Sequence, residues 1–494
     1  MSVVAECEFL YNTLKDEGVN TMDDDNTIQE NPAGGPPLNP LGTAPVAGLI
    51  IRFAIPSITA LLVSAAYNIT DQIFIGWLIG IYGNAATNVA FPVTVFVNAL
   101  ALLIGPGIAA NYNICMGAKR MDEAERYLGT GLVLMVICGP VFMALVLIFK
   151  TPILLLCGAT VNVLPYADVY LGLTAFSIPF FLFTLATSYV IRADGSPAYS
   201  MICTVSGALL NIFLDFLFIY VFSWGMQGAG AATVIAQGVS FILCVAYLPR
   251  FKTIKIRAAI LRVKSKYAIG IVKLGIPNFI NQVVIMVVNI VMNNTLTYYG
   301  ASAVYGSDIP LAVSGVVAKL NSILISLTVG LSQGCQPVFS YNTGAKNYAR
   351  VKETYKKALV VALAISVCVF VVFQLFPQKI VSIFGEGSEL YYEFAERYIR
   401  IFLMMVCFFG VQPLSVSYFT STGNSRLGII LSASRQGLFL IPLLLILPMF
   451  LGLEGILFSG PIADTLACIL SLVLVFFDFR HLSVLQKAQL AEPE

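Results

Sequence analysis

Long apolar stretches recur along this chain from residue 46 to residue 478, and glycine, proline or charged residues separate each from the next. The pattern predicts helical spans near 46–79, 84–114, 127–149, 166–190, 198–222 and 226–248, then near 268–300, 308–340, 355–376, 391–420, 425–450 and 455–478. A helix needs about 20 apolar residues to cross a bilayer, so each stretch suffices and the longest must tilt or protrude. The first forty residues have another character. Asp16-Glu17, Asp23-Asp24-Asp25 and Asn31-Pro-Ala-Gly-Gly-Pro-Pro bound no apolar run with a basic start and a small-residue cleavage site, so residues 1–45 read as a disordered tail and not as a signal peptide.

The two sets of six spans echo each other. At a shift of 221 to 228 residues, Ile55-Pro56 matches Ile276-Pro277, Gly117-Ala118-Lys119 matches Gly344-Ala345-Lys346, Gly195 matches Gly423, and Gly225-Met-Gln-Gly228 matches Gly452-Leu-Glu-Gly455. Four matches in one order, at nearly one offset, indicate a parallel repeat. The expected fold is an all-α polytopic membrane protein with twelve transmembrane helices in two six-helix bundles, 46–248 and 268–478. A pseudo-two-fold axis along the membrane normal relates them, with a central cavity between as the substrate route. A basic linker, 249–267, joins the bundles, and 479–494 form a second tail.

Composition agrees with this reading, since 58% of the 494 residues are hydrophobic and 11% charged, where soluble proteins carry about 25% charged residues. A net charge of +2 gives no global pull toward nucleic acid. The ten cysteines, from Cys7 to Cys468, stand singly in apolar segments without a CxxC pair or a histidine cluster, so they read as packing residues.

Lysine and arginine set the orientation, because short cytoplasmic loops retain them. Loop two carries Lys119, Arg120 and Arg126; the linker carries Arg250, Lys252, Lys255, Arg257, Arg262, Lys264 and Lys266; loop eight carries Lys346, Arg350, Lys352, Lys356 and Lys357. The odd-numbered loops offer little beyond Lys150 and Lys379, and loop nine holds Glu386, Glu389 and Glu393. Both termini are therefore expected in the cytoplasm.

Charges inside the spans are the candidate chemistry, since one at the bilayer centre costs about 2.5–3.5 kcal/mol on insertion scales and usually faces a cavity. Asp71 follows Asn68 in span one, and Asp215 follows Asn211 in span five, at spacings of three and four that put each pair on one helix face. Span six adds Thr233 and Gln237. Carboxylate, amide and hydroxyl oxygens suit a hard cation such as sodium; a buried carboxylate with an acid nearby suits a proton equally. No cofactor is called for. The repeat makes the site one-sided, since Asp71 falls opposite Met292 and Asp215 opposite Leu443. In the second half Lys319, Arg435 and Asp464 lie in spans, with Asn289, Asn293 and Asn294 in span seven, and a buried pair of Asp464 with Lys319 or Arg435 reads as structural. Pro56 and Pro277 interrupt the first span of each half, either as static kinks or, at Pro56, as a hinge near Asp71.

Pro56 fifteen residues before Asp71, the Asn211–Asp215 pair, Thr233 eighteen residues later, and Gln336-Pro-Val-Phe-Ser-Tyr-Asn-Thr-Gly-Ala-Lys346 together resemble the multidrug and toxic compound extrusion (MATE) family of cation-coupled exporters, bacterial type, over residues 46–478. The resemblance implies a V-shaped pair of bundles, exchange of sodium or protons for drugs, and an ion site of Asp71, Asn211, Asp215 and Thr233. It also implies bending of span one at Pro56, and residence in a bacterial inner membrane. Some members carry further acids in the second bundle; span seven here has no obvious equivalents.

The expected function is export of small organic compounds, often cationic, in exchange for sodium or protons by alternating access, by a monomer whose partners are its substrates and the bilayer. Phe, Tyr and Met residues facing the cleft are the expected substrate contacts. No GxxxxGK[ST] loop is present for ATP. The alternatives are a flippase for a lipid-linked precursor, which calls for a strongly basic cavity, and a polytopic membrane enzyme, for which the single histidine, His481, lies past the last span.

Overall fold

The computed structural model describes residues 39–257, 260–306, 308–382 and 388–491. Most of the expected tail over 1–45, with its Cys7, as well as Glu386 of loop nine and residues 492–494, lie outside the described residues. Hydrocarbon offers backbone N–H and C=O groups no partner, so apolar runs must satisfy them internally. Among the described residues every regular element is helical.

The spanning helices of the first half are α1 (Val46–Leu78), α2 (Ile81–Gly117), α3 (Met121–Ile148), α4 (Leu164–Ala193), α5 (Pro197–Val221) and α6 (Gly225–Arg250). Those of the second are α7 (Ser265–Ala301), α8 (Asp308–Gly344), α9 (Tyr348–Leu375), α10 (Glu389–Phe402 and Val406–Ser421), α11 (Ser425–Leu451) and α12 (Leu453–Ala491). Most outrun the ends that hydrophobicity marks. α12 runs on through the stretch expected to be a tail, because Gln486, Lys487 and Gln489 are good helix formers outside the hydrocarbon. Span ten is not one helix. Its two pieces meet at a bend of 41°, and Ser366 Oγ accepts from the freed Gly410 N–H at 3.3 Å.

The repeat is visible in the turns. The loops after α2 and α8 bring Lys119 and Lys346 to φ of 59° and 56°. Gly195 and Gly423 open α5 and α11 at 82° and 88°, and Gly225 and Gly452 sit before or at the start of α6 and α12 at 56° and 58°. Each is a left-handed backbone that suits glycine. A short helix follows α3 at Lys150–Leu156, and another follows α9 at Pro377–Ser382.

Within the first half α1 packs on α5, α2 on α3 and α4, and α6 on α4 and α5; within the second α7 packs on α11, and α8 on α9 and α10. Between the halves α1 lies along α8 and α2 along α7. This seam is built from glycines. A methyl on Gly117 of α2 would sit 2.0 Å from the Tyr341 carbonyl oxygen of α8, and one on Gly344 of α8 would sit 2.0 Å from that of Ile114 in α2. Gly107 meets Ile271 and Gly275 meets Leu103 in the same way, while Gly334 and Gly330 meet Ala54 and Ile58 of α1. Hydrogen bonds cross at the same level: Asn111 Nδ2 donates to the Gly270 carbonyl at 3.0 Å, Gln336 Nε2 to that of Pro106 at 3.4 Å, and Ser326 Oγ to that of Leu61 at 3.4 Å.

All these contacts occupy the start of α1, the end of α2, the start of α7 and the end of α8, the membrane face that carries Lys119, Arg120 and the linker. Beyond Leu61 and Ser326 these helices expose Asn68, Gln72, Asn289, Asn293 and Lys319. Polar side chains at membrane depth need a watery cleft, so the space between the halves opens on the face opposite the basic one.

Candidate cation site

α1 and α5 are neighbours, and they bring Asp71 and Asp215 together deep in the first half. Asp215 is fully buried and Asn211, one turn earlier on the same face, is 2% exposed. The two carboxyl groups lie near each other where α1 packs on α5. One oxygen of each, Oδ1, is buried without a partner. These orphaned oxygens are the donors a hard cation or a proton would satisfy.

Asn211 orients the pair. With its amide nitrogen toward the acid it donates to Asp215 Oδ2 at 3.1 Å, and its oxygen accepts from the backbone N–H of Thr233 in α6 at 3.2 Å. Thr233 thus reaches the site through its backbone, because its hydroxyl donates to the Ala229 carbonyl of its own helix at 3.0 Å. Asn68 turns away: it is exposed, and its amide donates to the Ser64 carbonyl at 2.7 Å. Two residues unmarked in the sequence stand beside the acids. Tyr67 of α1 and Tyr170 of α4 are both close enough to feel the charges of Asp71 and Asp215. Hydroxyl-bearing aromatics are common in this chain, and nothing in the spacing singled these two out.

α5 winds as a π-helix over Phe216–Val221, directly after Asp215. π stretches are rare and recur at functional sites, because the wider turn re-aims the side chains around it. Pro56 sits inside α1, which remains helical from Val46 to Leu78, and Ser57 Oγ donates to the Phe53 carbonyl at 2.9 Å.

In the second half, Arg435 Nε donates to Asp464 Oδ1, and both side chains are largely buried. Arg435 lies in a second π stretch, Ser434–Leu440, with its guanidinium 4.7 Å from the Phe409 ring centre. Lys319 lies on the exposed side of α8.

A family model, MatE, matches residues 56–217 and 277–446, one stretch in each half. The chain belongs to the MatE family. Proteins of this family are membrane transporters and not enzymes, so the chain is a polytopic membrane transporter. The Multidrug export protein MepA of Staphylococcus haemolyticus (strain JCSC1435) is 26% identical over 447 residues, covering 90% of this chain and 96% of that protein. MepA of Staphylococcus aureus (strain MSSA476) is 25% identical over 451 residues, covering 91% and 97%. Among solved structures, the outward-facing conformation of a multidrug resistance MATE family transporter of the MOP superfamily superposes with a TM-score of 0.84 at 21% identity, covering 90% of this chain and 98% of that one. A MOP superfamily transporter from Pyrococcus furiosus Vc1 (DSM3638), described as having a binding pocket of reverse polarity, gives 0.84 at 20% over the same shares. At these identities the structures carry the fold alone.

Proposed function

We propose that this chain exports small organic compounds across a bacterial inner membrane in exchange for sodium ions or protons, with Asp71 and Asp215 as the coupling pair. The observation that carries the reading is the pair itself: two acids on adjacent packed helices, each with an orphaned buried oxygen. A cation arriving from the open cleft binds these oxygens and changes the spacing of the two carboxyl groups, which alters the packing of α1 against α5. α1 also forms half of the α1–α8 seam, so a change at Asp71 reaches the closed face through one continuous helix. Residues 46–248 and 268–478 act as the two moving bodies, with both termini and the basic loops on the cytoplasmic side and Pro56 as the bend in α1. The naming of the relatives as multidrug export proteins supports the substrate class.

The test is transport by the purified full-length chain in liposomes under an imposed sodium or proton gradient, with ethidium as reporter. Gradient-driven ethidium movement is expected. Asp71→Asn and Asp215→Asn should each abolish it while leaving folded protein in the membrane. Full activity in both variants refutes the coupling role; lipid translocation without movement of any organic cation in a broad panel refutes export and favours a flippase.

A further inference from the structure

On the basic face, away from the seam, α9 and α12 leave a groove of about 760 Å³ between them. One wall is Ala349, Lys352, Glu353 and Lys356, at the i, i+3, i+4, i+7 spacing of a single face of α9. Phe476, Phe479, Arg480, Ser483 and Val484 of α12 form the other. The groove carries three cations against one acid, and Lys357 already engages that acid, Glu353, at 2.9 Å. Lys352 closes the outer end through Ser483 Oγ and Gln486 Oε1, both at 3.1 Å. Arg480 lies over the Phe476 ring, 4.6 Å from its centre.

Toward the membrane interior the polar walls stop. One turn further along, α9 exposes Val360 and α12 exposes Phe476, Val473 and Leu472. The groove therefore has a cationic end at the membrane surface and an apolar end within it. That is the polarity of one phospholipid standing upright, its headgroup outward and its acyl chains against the helices.

The repeat adds an independent observation. At the offset of 227 residues, Lys356 corresponds to Gly129 and Arg480 to Thr253. In the first half the chain itself fills the equivalent groove. Thr130 Oγ1 of α3 donates to the Arg262 carbonyl of the linker at 3.0 Å, and Gly129 lies so close to Ile260 that a methyl would sit 2.0 Å from its carbonyl oxygen. The fold thus packs this groove in one half and leaves it open and basic in the other.

We propose that the α9–α12 groove is a binding site for the phosphate headgroup of an anionic phospholipid in the leaflet on the basic side, held by Lys356 and Arg480. The lipid occupies the place the linker takes in the first half. It braces α9 against α12 on the half that has no linker of its own.

The experiment uses the full-length chain in detergent, titrated with phosphatidylglycerol and, in parallel, phosphatidylcholine and soluble glycerol 3-phosphate, with bound lipid counted by native mass spectrometry. Each basic residue at a lipid surface is worth roughly fivefold in affinity, so Lys356→Gln/Arg480→Gln should weaken phosphatidylglycerol binding roughly thirtyfold. Lys356→Arg/Arg480→Lys should retain it, and Arg126→Gln, on the other half, should leave it unchanged. Equal binding by Lys356→Gln/Arg480→Gln and the unaltered chain overturns the proposal. So does equal retention of phosphatidylcholine, and so does displacement by glycerol 3-phosphate at concentrations matching phosphatidylglycerol, which would make this a small-anion site.

Discussion

The Arg435–Asp464 pair offers the sharpest separation of a structural role from an ionic one. Arg435 and Asp464 expose 12% and 6% of their side chains, and they hold α11 to α12 across the core of the second half. Removing one partner strands the other as an uncompensated buried charge, which costs about 3–5 kcal/mol in soluble proteins. In a membrane the separated helices also find polar partners, and that roughly halves such energies. About 2 kcal/mol is therefore expected for Asp464→Leu and for Arg435→Met taken singly. Replacing both by apolar side chains removes the desolvation cost together with the attraction, so the double variant should come back to within about 1 kcal/mol of the unaltered chain. Equilibrium unfolding in mixed micelles with rising SDS, followed by circular dichroism, measures all four corners of the cycle, and ethidium transport is measured on the same preparations. The reasoning fails if the double variant loses as much as the two singles summed. It also fails if Asp464→Asn keeps full stability but stops transport, because the acid would then serve an ion and not its neighbour.

Further expectations follow from the seam and the linker. Gly117→Ala and Gly344→Ala each push a methyl to 2.0 Å from a facing carbonyl oxygen; relieving such overpacking costs about 1–3 kcal/mol, so hydrogen exchange over 103–120 and 330–347 should quicken by roughly fivefold or more, and unchanged exchange would show that the seam is not what closes this face. Asp194, 4% exposed, accepts from Tyr247 Oη at 2.8 Å and from the N–H groups of Lys252 and Thr253 at 2.9 and 3.2 Å. Asp194→Ala orphans these donors at about 1 kcal/mol each, so trypsin should cut at Lys252, Lys255 and Arg257 at least tenfold faster; unaltered cutting would mean that other contacts hold the linker.

Much of the architecture was written in the chain. In hydrocarbon each span must satisfy its own backbone, so hydrophobic length alone marks a helix, and the twelve spans were legible without knowledge of any contact. The repeated Gly195/Gly423 and Gly225/Gly452 pairs were legible as repeat matches between spans, and Asn211 and Asp215 as one helical face, because an i, i+4 spacing is a local property.

What the sequence could not carry was proximity between helices. It offered Lys319 and Arg435 equally as partners for Asp464, and the packing of α11 on α12 selected Arg435. It named Asn68 and the Thr233 hydroxyl beside the acids, whereas both bond to carbonyls of their own helices and the backbone N–H of Thr233 meets Asn211 instead. Tyr67 and Tyr170 entered the site only because α1, α4 and α5 converge there. Gly117 and Gly344 stood out in the sequence as a repeat match, yet that each is glycine so that the other half can approach is a fact about two surfaces. Periodicity and composition are properties of one segment, and contact between segments depends on the orientation of whole helices, which only the folded chain decides.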